Sequence, residues 1–182
     1  VRLDYPKEQL EVIVGNDGSE DRTKEIVEAY AVQYSWISVI DVGAKITPGN
    51  GKANALAHLA NKAKGDYFFI TDADITVPTN WIWGMLKGMD TKVGLVTGTS
   101  VVEGKGWLAR YQRIDWLFAT GMLKVVSDLG IPVTSMGNNM MVRKKSYFRA
   151  GGYEKLPFSV TEDLELFKKV KEVSKVVNLF GP

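Results

Sequence analysis

Short apolar runs alternate along nearly the whole chain with longer segments whose apolar residues recur at helical spacing. Runs such as LEVIV at 10–14 and YFFIT at 67–71 have the length of buried strands. The predicted strands are 10–14, 36–42, 67–71, 93–99, 137–143 and 175–179. The predicted helices are 20–34, 52–64, 81–89, 107–127, 146–150 and 162–172. This alternation predicts an α/β fold, with a mostly parallel sheet that is covered by helices on both faces.

Polar residues at the carboxyl ends of the strands are the first candidates for a site, because sheets of this class bind ligands there. Asp72 and Asp74 follow the third predicted strand, one residue apart. Two carboxylates so close repel each other unless a cation lies between them, and Mg²⁺ or Mn²⁺ bound to a diphosphate would supply that cation. A solvated turn explains the same pattern equally well at this point, since aspartate is common in turns.

Two further segments combine turn or helix-start chemistry with a charged residue. Asp17 follows the first strand in the sequence GNDGS, where it is either an acceptor for a nucleotide base or ribose, or an ordinary turn residue. Lys52 opens a predicted helix after Gly49 and Gly51, a position that favours contact with an anion. The segment does not match a P-loop, because Ala53 stands where that motif needs a metal-binding hydroxyl.

The last third of the chain carries another candidate group. The TED sequence at 161–163 precedes a helix, and acids there are favoured by the helix dipole whether or not they have a function. In the functional interpretation, Asp163 is a general base that takes the proton of an attacking hydroxyl, with Glu162 beside it. Asn138 and Asn139 offer amides that suit sugar hydroxyls and are equally compatible with a plain turn.

In this order and spacing, the motifs resemble family 2 glycosyltransferases with the GT-A fold. The matching segments are LEVIVGNDGSEDRT, GKANALAHLANKAKGDYFFITDAD, GNNMMVRKKSYFRAGGYE and TED, and the resemblance covers nearly the whole chain. It implies an inverting, metal-assisted transfer of a sugar from a nucleotide-diphosphate donor to a hydroxyl of a glycan or lipid acceptor. UDP-sugars are the favoured donors in this interpretation, and GDP-sugars are the alternative.

The resemblance also assigns roles to individual residues, with Mg²⁺ or Mn²⁺ as the implied cofactor. The implied catalytic residues are Asp163, as general base, and Glu162. The implied donor-binding residues are Asp17, at the nucleotide base, and Lys52, Asp72, Asn138 and Asn139. The implied metal ligands are Asp74, as the more direct contact, and Asp72.

Two other functions share part of this pattern. A sugar-phosphate nucleotidyltransferase has a related sheet and also uses a metal, but it should carry a glycine-rich loop with Arg and Lys after its first strand. The DxD and TED motifs favour sugar transfer over that reaction. A non-catalytic module that binds nucleotide sugars would bind the donor without transferring the sugar, and the intact acids argue against it.

The composition of the chain limits which binding partners and which cellular compartment we expect. Hydrophobic residues make up 45% of the chain and charged residues 24%, which is typical of a globular domain. The net charge is +2 and the lysines are scattered, so the sequence gives no basic face for nucleic acid. The chain has no cysteine, which fits a reducing compartment. We therefore expect a cytoplasmic protein, with the cytoplasmic face of a membrane included in that expectation.

One predicted helix allows two interpretations. Residues 107–124 combine several aromatic side chains with Arg110 and Arg113, and Lys105 precedes them. This composition suits a helix that lies on a membrane surface near a lipid-linked acceptor, a contact the longer parent protein would make. A helix that packs its apolar stripe on the sheet is the preferred interpretation, because such stripes are usually core.

The ends of the chain indicate a piece of a longer protein. It starts at Val1 in turn-like sequence and stops at 180–182, just after a strand-like run. We expect residues 1–182 to form a single glycosyltransferase catalytic domain that is truncated at both ends. The first strand of the resembled family and the region after its TED motif would lie outside it.

Overall fold

The computed structural model describes residues 1–129 and 137–179, without the side chains of 127 and 128. This part contains six strands and six α-helices, which alternate except that two helices follow each other between the last two strands. The strands are β1 (Val12–Asn16), β2 (Ile37–Asp41), β3 (Tyr67–Ile70), β4 (Val93–Thr97), β5 (Met140–Arg143) and β6 (Lys175–Asn178). The helices are α1 (Thr23–Gln33), α2 (Gly51–Lys62), α3 (Trp81–Leu86), α4 (Trp107–Asp128), α5 (Lys144–Arg149) and α6 (Glu162–Val173). Every predicted strand and helix is therefore present, and the differences concern their ends.

The strands form two sheets, and their directions are mixed. β1 pairs with β2 in parallel, and the second sheet has the order β3-β5-β4-β6. In that sheet β4 and β6 are parallel, whereas β5 runs antiparallel to both β3 and β4. The α/β class is confirmed, with mixed sheets in place of the mostly parallel sheet. The sequence did not reveal this direction, because a buried strand is the same short apolar run whichever way it points.

The core lies on both faces of the four-stranded sheet. In β5, Met140 and Val142 pack into one apolar cluster, while Met141 packs into the other. Helix α2 covers the first cluster with the buried alanines Ala53, Ala57 and Ala60. Besides this cluster, α2 packs against β1 of the two-stranded sheet.

The start of α1 differs from the prediction. The helix begins at Thr23 and not at the predicted residue 20, and Arg22 is its N-cap residue. The backbone N–H of Ser19 instead donates to Asn16 Oδ1 at 3.2 Å, so a turn follows β1. The carboxylate of Asp21 then accepts from the backbone N–H of Thr23, the first residue of the helix, at 2.9 Å.

Helix α4 turns its apolar stripe away from the protein. Six side chains of the stripe are 52–80% exposed: Trp107, Tyr111, Ile114, Phe118, Met122 and Val125. On the opposite side, Thr120 is buried, and Trp116 Nε1 donates to the carbonyl of Ser100 at 2.7 Å. The prediction that the stripe packs on the sheet is wrong, because these six side chains face away from the rest of the described chain. Among the described helices, none has both the length and the apolarity needed to cross a bilayer.

Candidate active site

Lys52 lies at the centre of a cluster of carboxylates that come from separate segments. Its Nζ lies 2.8 Å from Asp72 Oδ1, 3.6 Å from Glu162 Oε1 and 3.7 Å from Asp163 Oδ2. The lysine comes from the first turn of α2, Asp72 from the end of β3, and the two other acids from the first turn of α6. The structure thus brings four of the predicted site residues together, with three carboxylates around the Lys52 cation.

Asn50 fixes the relative positions of α2 and α6. Its Oδ1 accepts from the backbone N–H of Ala53 at 2.8 Å and caps α2. Its Nδ2 donates to Glu162 Oε2 at 2.8 Å and to the carbonyl of Ser159 at 3.1 Å. The Asn50 side chain therefore caps the helix that carries Lys52 and also holds Glu162. Sequence reasoning missed Asn50, although its place three residues before Ala53 is that of an N-cap.

Burial has a strong effect on the protonation of Asp163, the carboxyl group that was predicted to be the general base. It is the largest influence on Asp163 and raises the pKa of that carboxyl. The positive charge of Lys52 acts in the opposite direction, while the nearby carboxylates of Glu162 and Asp72 raise the pKa further. Asp163 is consequently a stronger base than an exposed aspartate.

Lys52 remains charged in this environment. Burial, the largest influence, lowers its pKa, but the hydrogen bond to Asp72 and the charges of Asp163, Asp72 and Glu162 together outweigh burial and raise the pKa. The Lys52 cation therefore offsets part of the repulsion among the carboxylates. It also offers a positive charge beside the end of β3.

Two buried tyrosines lie beneath Asp163. The hydroxyl of Tyr153 lies 3.5 Å from Asp163 Oδ1, and the backbone N–H of Tyr153 donates to the Tyr147 hydroxyl at 3.1 Å. The Tyr147 hydroxyl in turn donates to Glu154 Oε2 at 3.3 Å. Burial raises the pKa of both tyrosines, so their hydroxyls stay protonated. The Tyr153 hydroxyl is thus kept as a donor that faces the Asp163 carboxylate.

Gly137 lies against the Asp163 carboxylate from another side. A Cβ atom at this buried position would be 1.5 Å from Asp163 Oδ2, which is far inside any allowed contact. Only glycine therefore lets the chain pass the carboxylate. The close approach fixes where Asp163 lies.

Asp17 and Asp74 are exposed at the rim of this cluster. A Cβ atom at Gly51 would lie 3.3 Å from Asp17 Oδ2, so Asp17 is beside the first residue of α2. Asp74 lies in the turn in which the N–H of Ile75 donates to the carbonyl of Asp72 at 3.3 Å. Both aspartates can be reached from solvent, and their roles in binding the sugar donor stay predictions.

The two predicted asparagines have different surroundings. Asn138 Oδ1 accepts from the Ser100 hydroxyl at 3.0 Å, and the side chain is partly accessible. Asn139 Oδ1 accepts from Trp81 Nε1 at 2.9 Å, and its Nδ2 donates to the carbonyl of Thr99 at 3.3 Å. Both ends of the Asn139 amide are therefore engaged within the protein. This indicates a structural role for Asn139, and the contacts of both residues with a sugar stay predictions.

Asp72 and Asp74 form a donor set that fits a hard divalent cation. Within residues 1–129 and 137–179, no cluster of three or more His, Cys, Asp and Glu side chains could hold a metal. Two carboxylates leave most ligand positions of Mg²⁺ or Mn²⁺ to phosphate and water oxygens, which is how these ions bind together with diphosphates. The residues therefore fit an ion that binds with its substrate.

The family model described as glycosyl transferase family 21 matches residues 1–181. The chain belongs to glycosyl transferase family 21. The glycosyltransferase prediction is thereby confirmed, and the matching family model is number 21, whereas the motifs were compared with family 2.

Curated relatives of this family 21 chain agree with the assignment. The chain is 30% identical over 189 residues to the "Probable glycosyltransferase YdaM" of Bacillus subtilis, with 99% of the chain and 43% of that protein covered. It is 28% identical over 171 residues to the poly-beta-1,6-N-acetyl-D-glucosamine synthase of Staphylococcus epidermidis, with 92% and 40% covered. The chain thus spans roughly two fifths of the length of these relatives.

Solved structures show the same fold. The mannosyltransferase PcManGT of Pyrobaculum calidifontis, in complex with GDP-Man and Mn²⁺, matches with a TM-score of 0.68 at 22% identity, over 98% of this chain and 48% of that one. S. aureus TarS (residues 1–349) in complex with UDP-GlcNAc matches with a TM-score of 0.64 at 17% identity, over 100% and 52%. The GT-A fold predicted for the family 21 chain is confirmed.

Proposed function

We propose that the chain is the catalytic domain of an inverting, metal-assisted glycosyltransferase. It moves a sugar from a nucleotide-diphosphate donor to a hydroxyl of a glycan or lipid acceptor. The observation that carries this proposal is the convergence of Asp72 and Asp163 on Lys52, with Nζ–O distances of 2.8 and 3.7 Å. A group that binds the diphosphate and a group that accepts a proton are thereby held within one site.

On the diphosphate side, Asp72 and Asp74 would hold Mg²⁺ or Mn²⁺. When bound, the ion offsets the negative charge of the departing nucleotide diphosphate. Lys52 provides a second positive charge at the same place, and its raised pKa keeps that charge at neutral pH. Asp17, beside the first residue of α2, is the proposed contact for the nucleotide base.

On the acceptor side, Asp163 takes the proton of the attacking hydroxyl. Burial raises its pKa, so its carboxylate binds a proton more readily than an exposed aspartate does. Gly137 and the Tyr153 hydroxyl hold the carboxylate in place, so the acceptor meets a base that is already oriented. Attack from the face opposite the leaving diphosphate inverts the anomeric centre.

UDP-N-acetylglucosamine is the first sugar donor to test. The Staphylococcus relatives are named as synthases of a poly-N-acetylglucosamine, and the TarS structure contains UDP-GlcNAc. PcManGT contains GDP-Man, so a GDP-sugar is the second candidate. These names support the choice of ligands, and the sugar preference of this chain is part of the proposal.

Calorimetric titration tests the proposed sugar-donor site. The chain is titrated with UDP-GlcNAc and with GDP-mannose, with and without Mn²⁺, and the Asp74→Asn variant is compared. We expect metal-dependent binding that Asp74→Asn weakens roughly tenfold or more, because a metal ligand is lost. Asp66→Asn, an exposed carboxylate just before the other end of β3, is the control and should bind normally.

The outcomes of this titration are distinguishable. If donor binding depends neither on the metal nor on Asp74, the proposed metal site is wrong. The proposed role of Asp163 as the general base is not affected by that result. If the chain binds no nucleotide sugar, with or without the metal, the proposed function is wrong.

Gly137→Ala tests the position of the base. Since the added Cβ would lie 1.5 Å from Asp163 Oδ2, the carboxylate or the glycine segment must move. A displacement of this size is expected to lower the turnover number roughly 100-fold. Gly84→Ala on α3, where a Cβ has open space, is the matched control. Full activity of Gly137→Ala in a transfer assay would argue against Asp163 as the base.

A further inference from the structure

Lys52 pairs with a carboxylate that a metal ion would also need. Asp72 is one of the two proposed metal ligands, and its Oδ1 lies 2.8 Å from Lys52 Nζ, which is the distance of a charge-assisted hydrogen bond. Two cations that share one carboxylate repel each other at short range. The ion pair between Lys52 and Asp72 therefore opposes the binding of a metal ion at Asp72.

This ion pair is weak enough to be exchanged. The side chains of Lys52 and Asp72 are 39% and 36% exposed. Ion pairs in contact with water contribute little to stability, because water screens their attraction. A doubly charged ion attracts a carboxylate more strongly than a lysine does, and Mg²⁺ and Mn²⁺ prefer oxygen ligands. Asp72 can therefore pass from the lysine to a metal ion at little cost.

Lys52 has other partners in the site, and these are more deeply buried. Its Nζ lies 3.6 Å from Glu162 Oε1 and 3.7 Å from Asp163 Oδ2, and these acids are only 8% and 18% exposed. Both distances exceed a normal hydrogen bond, so a small rotation of the lysine side chain can shorten them. Glu162 is itself held, because its Oε2 accepts from Asn50 Nδ2 at 2.8 Å. Lys52 thus keeps partners within the site when it leaves Asp72.

We propose that Lys52 is an exchangeable counter-ion of Asp72, which a divalent metal ion displaces towards Glu162 and Asp163. This inference rests on the proposed function, because it takes Asp72 as a metal ligand. Once it has left Asp72, the lysine can donate its N–H groups to the phosphate oxygens of the sugar donor. A diphosphate that draws Lys52 away from Asp72 likewise makes that carboxylate available to the metal ion. The metal and the diphosphate therefore strengthen each other's binding.

Titration with Mn²⁺ alone, followed by electron paramagnetic resonance, tests the exchange without any substrate. The signal of aqueous Mn²⁺ falls as the ion binds, which gives its dissociation constant. Lys52→Met is expected to bind Mn²⁺ roughly fivefold more tightly than the parent chain, because the competing cation is removed. The same variant should bind UDP-GlcNAc in the presence of Mn²⁺ less tightly, because the diphosphate loses a cation. The two expected effects thus have opposite signs.

Two further variants identify the site at which the affinity for Mn²⁺ changes. Lys24→Met is the matched control, because Lys24 Nζ forms an exposed ion pair of the same kind, 2.6 Å from Asp41 Oδ2. It removes the same charge and should leave the affinity for Mn²⁺ unchanged. Asp74→Asn should weaken Mn²⁺ binding both in the parent chain and in Lys52→Met, since the same metal site is affected. Thermal unfolding of each variant confirms that it is folded at the temperature of the titration.

A crystal structure of the parent chain with Mn²⁺ provides a second test that needs no variant. We expect Lys52 Nζ to lie more than ~4 Å from both carboxylate oxygens of Asp72, beyond the range of an ion pair. We also expect it to lie closer to Glu162 Oε1 than the present 3.6 Å.

The exchange and the proposed function fail in different ways. The exchange is wrong if Lys52→Met binds Mn²⁺ no more tightly than the parent chain, or if Lys52 stays paired with Asp72 in the structure with Mn²⁺. The proposed function still stands in that case, provided that the sugar donor binds with the metal and that Asp74→Asn weakens this binding. If Mn²⁺ binds neither the parent chain nor Lys52→Met, or binds independently of Asp74, the exchange and the proposed metal site are both wrong.

Discussion

Replacing Asp163 with asparagine is expected to lower the rate of sugar transfer roughly 100- to 10,000-fold, the range that a general base contributes. Asparagine keeps the shape of the side chain but cannot take the proton of the acceptor hydroxyl. Donor binding should change little, because the diphosphate side of the site is formed by Asp72, Asp74 and Lys52. The two effects are separated by measuring turnover and donor affinity on the same sample. Asp66→Asn is the charge-matched control.

The same variant should be at least as stable as the parent chain near neutral pH. In the folded chain, burial raises the pKa of Asp163 above its value in the unfolded chain. As the pH rises through the interval between these two values, the unfolded chain loses its proton first, and folding becomes less favourable. The asparagine side chain of the variant carries no charge, so that penalty is absent. Thermal unfolding at pH 7 checks this, and a large fall in melting temperature would contradict the burial argument.

Lys52→Met is expected to lower transfer roughly 100-fold at neutral pH and to move its pH dependence. Transfer requires the charged form of Asp163, so the rate should rise with pH through the pKa of that group. Lys52 is the charge that holds this pKa down, since its Nζ is 3.7 Å from Asp163 Oδ2. Without it, the acidic limb of the pH–rate profile should move to higher pH. The variant should also be less stable, because the buried carboxylate of Glu162 loses its nearest cation.

Lys62→Met, on the last turn of the same helix, is the matched control for both measurements. It should leave the pH–rate profile and the melting temperature unchanged. If Lys52→Met lowers the transfer rate without shifting the pH–rate profile, Lys52 binds the diphosphate but does not influence the pKa of the base.

Much of the site could be predicted from the sequence, because a buried strand ends where its run of apolar residues changes to polar residues. The apolar run before Asp72 identifies β3, and a charged residue at the start of α2 belongs at the same edge of the sheet. The contact between Lys52 and Asp72 follows from these two facts. The position of Asp163 does not follow from the sequence in this way, because it depends on how α6 packs against the rest of the protein. The apolar face of α6 that packs into the core can be predicted, but the hydrogen bond from Asn50 that places Glu162 leaves no pattern in hydrophobicity.

The errors have the same physical origin. Periodicity shows that one side of α4 is apolar, but it cannot show whether that side faces the sheet or solvent. The anchor points of α4 are single hydrogen bonds from Arg113 and Trp116 to backbone carbonyls, which can be seen only in three dimensions. Likewise, the residue type of Asn139 does not reveal its contacts with Trp81 and Thr99, while its contact with a sugar stays a prediction.

The position of β5 in the sheet has a consequence for how the protein folds during its synthesis. β3 and β4 are made first, yet each pairs with β5, which is made later, and Met140 of β5 is opposite both Ile70 and Thr97. The sheet therefore cannot close until the chain has been synthesised past α4. Pairings so distant in sequence are slow to form and leave strand edges open in the meantime. The acids at the end of β3 and the start of α6 consequently meet only late, and a half-made chain has no working site.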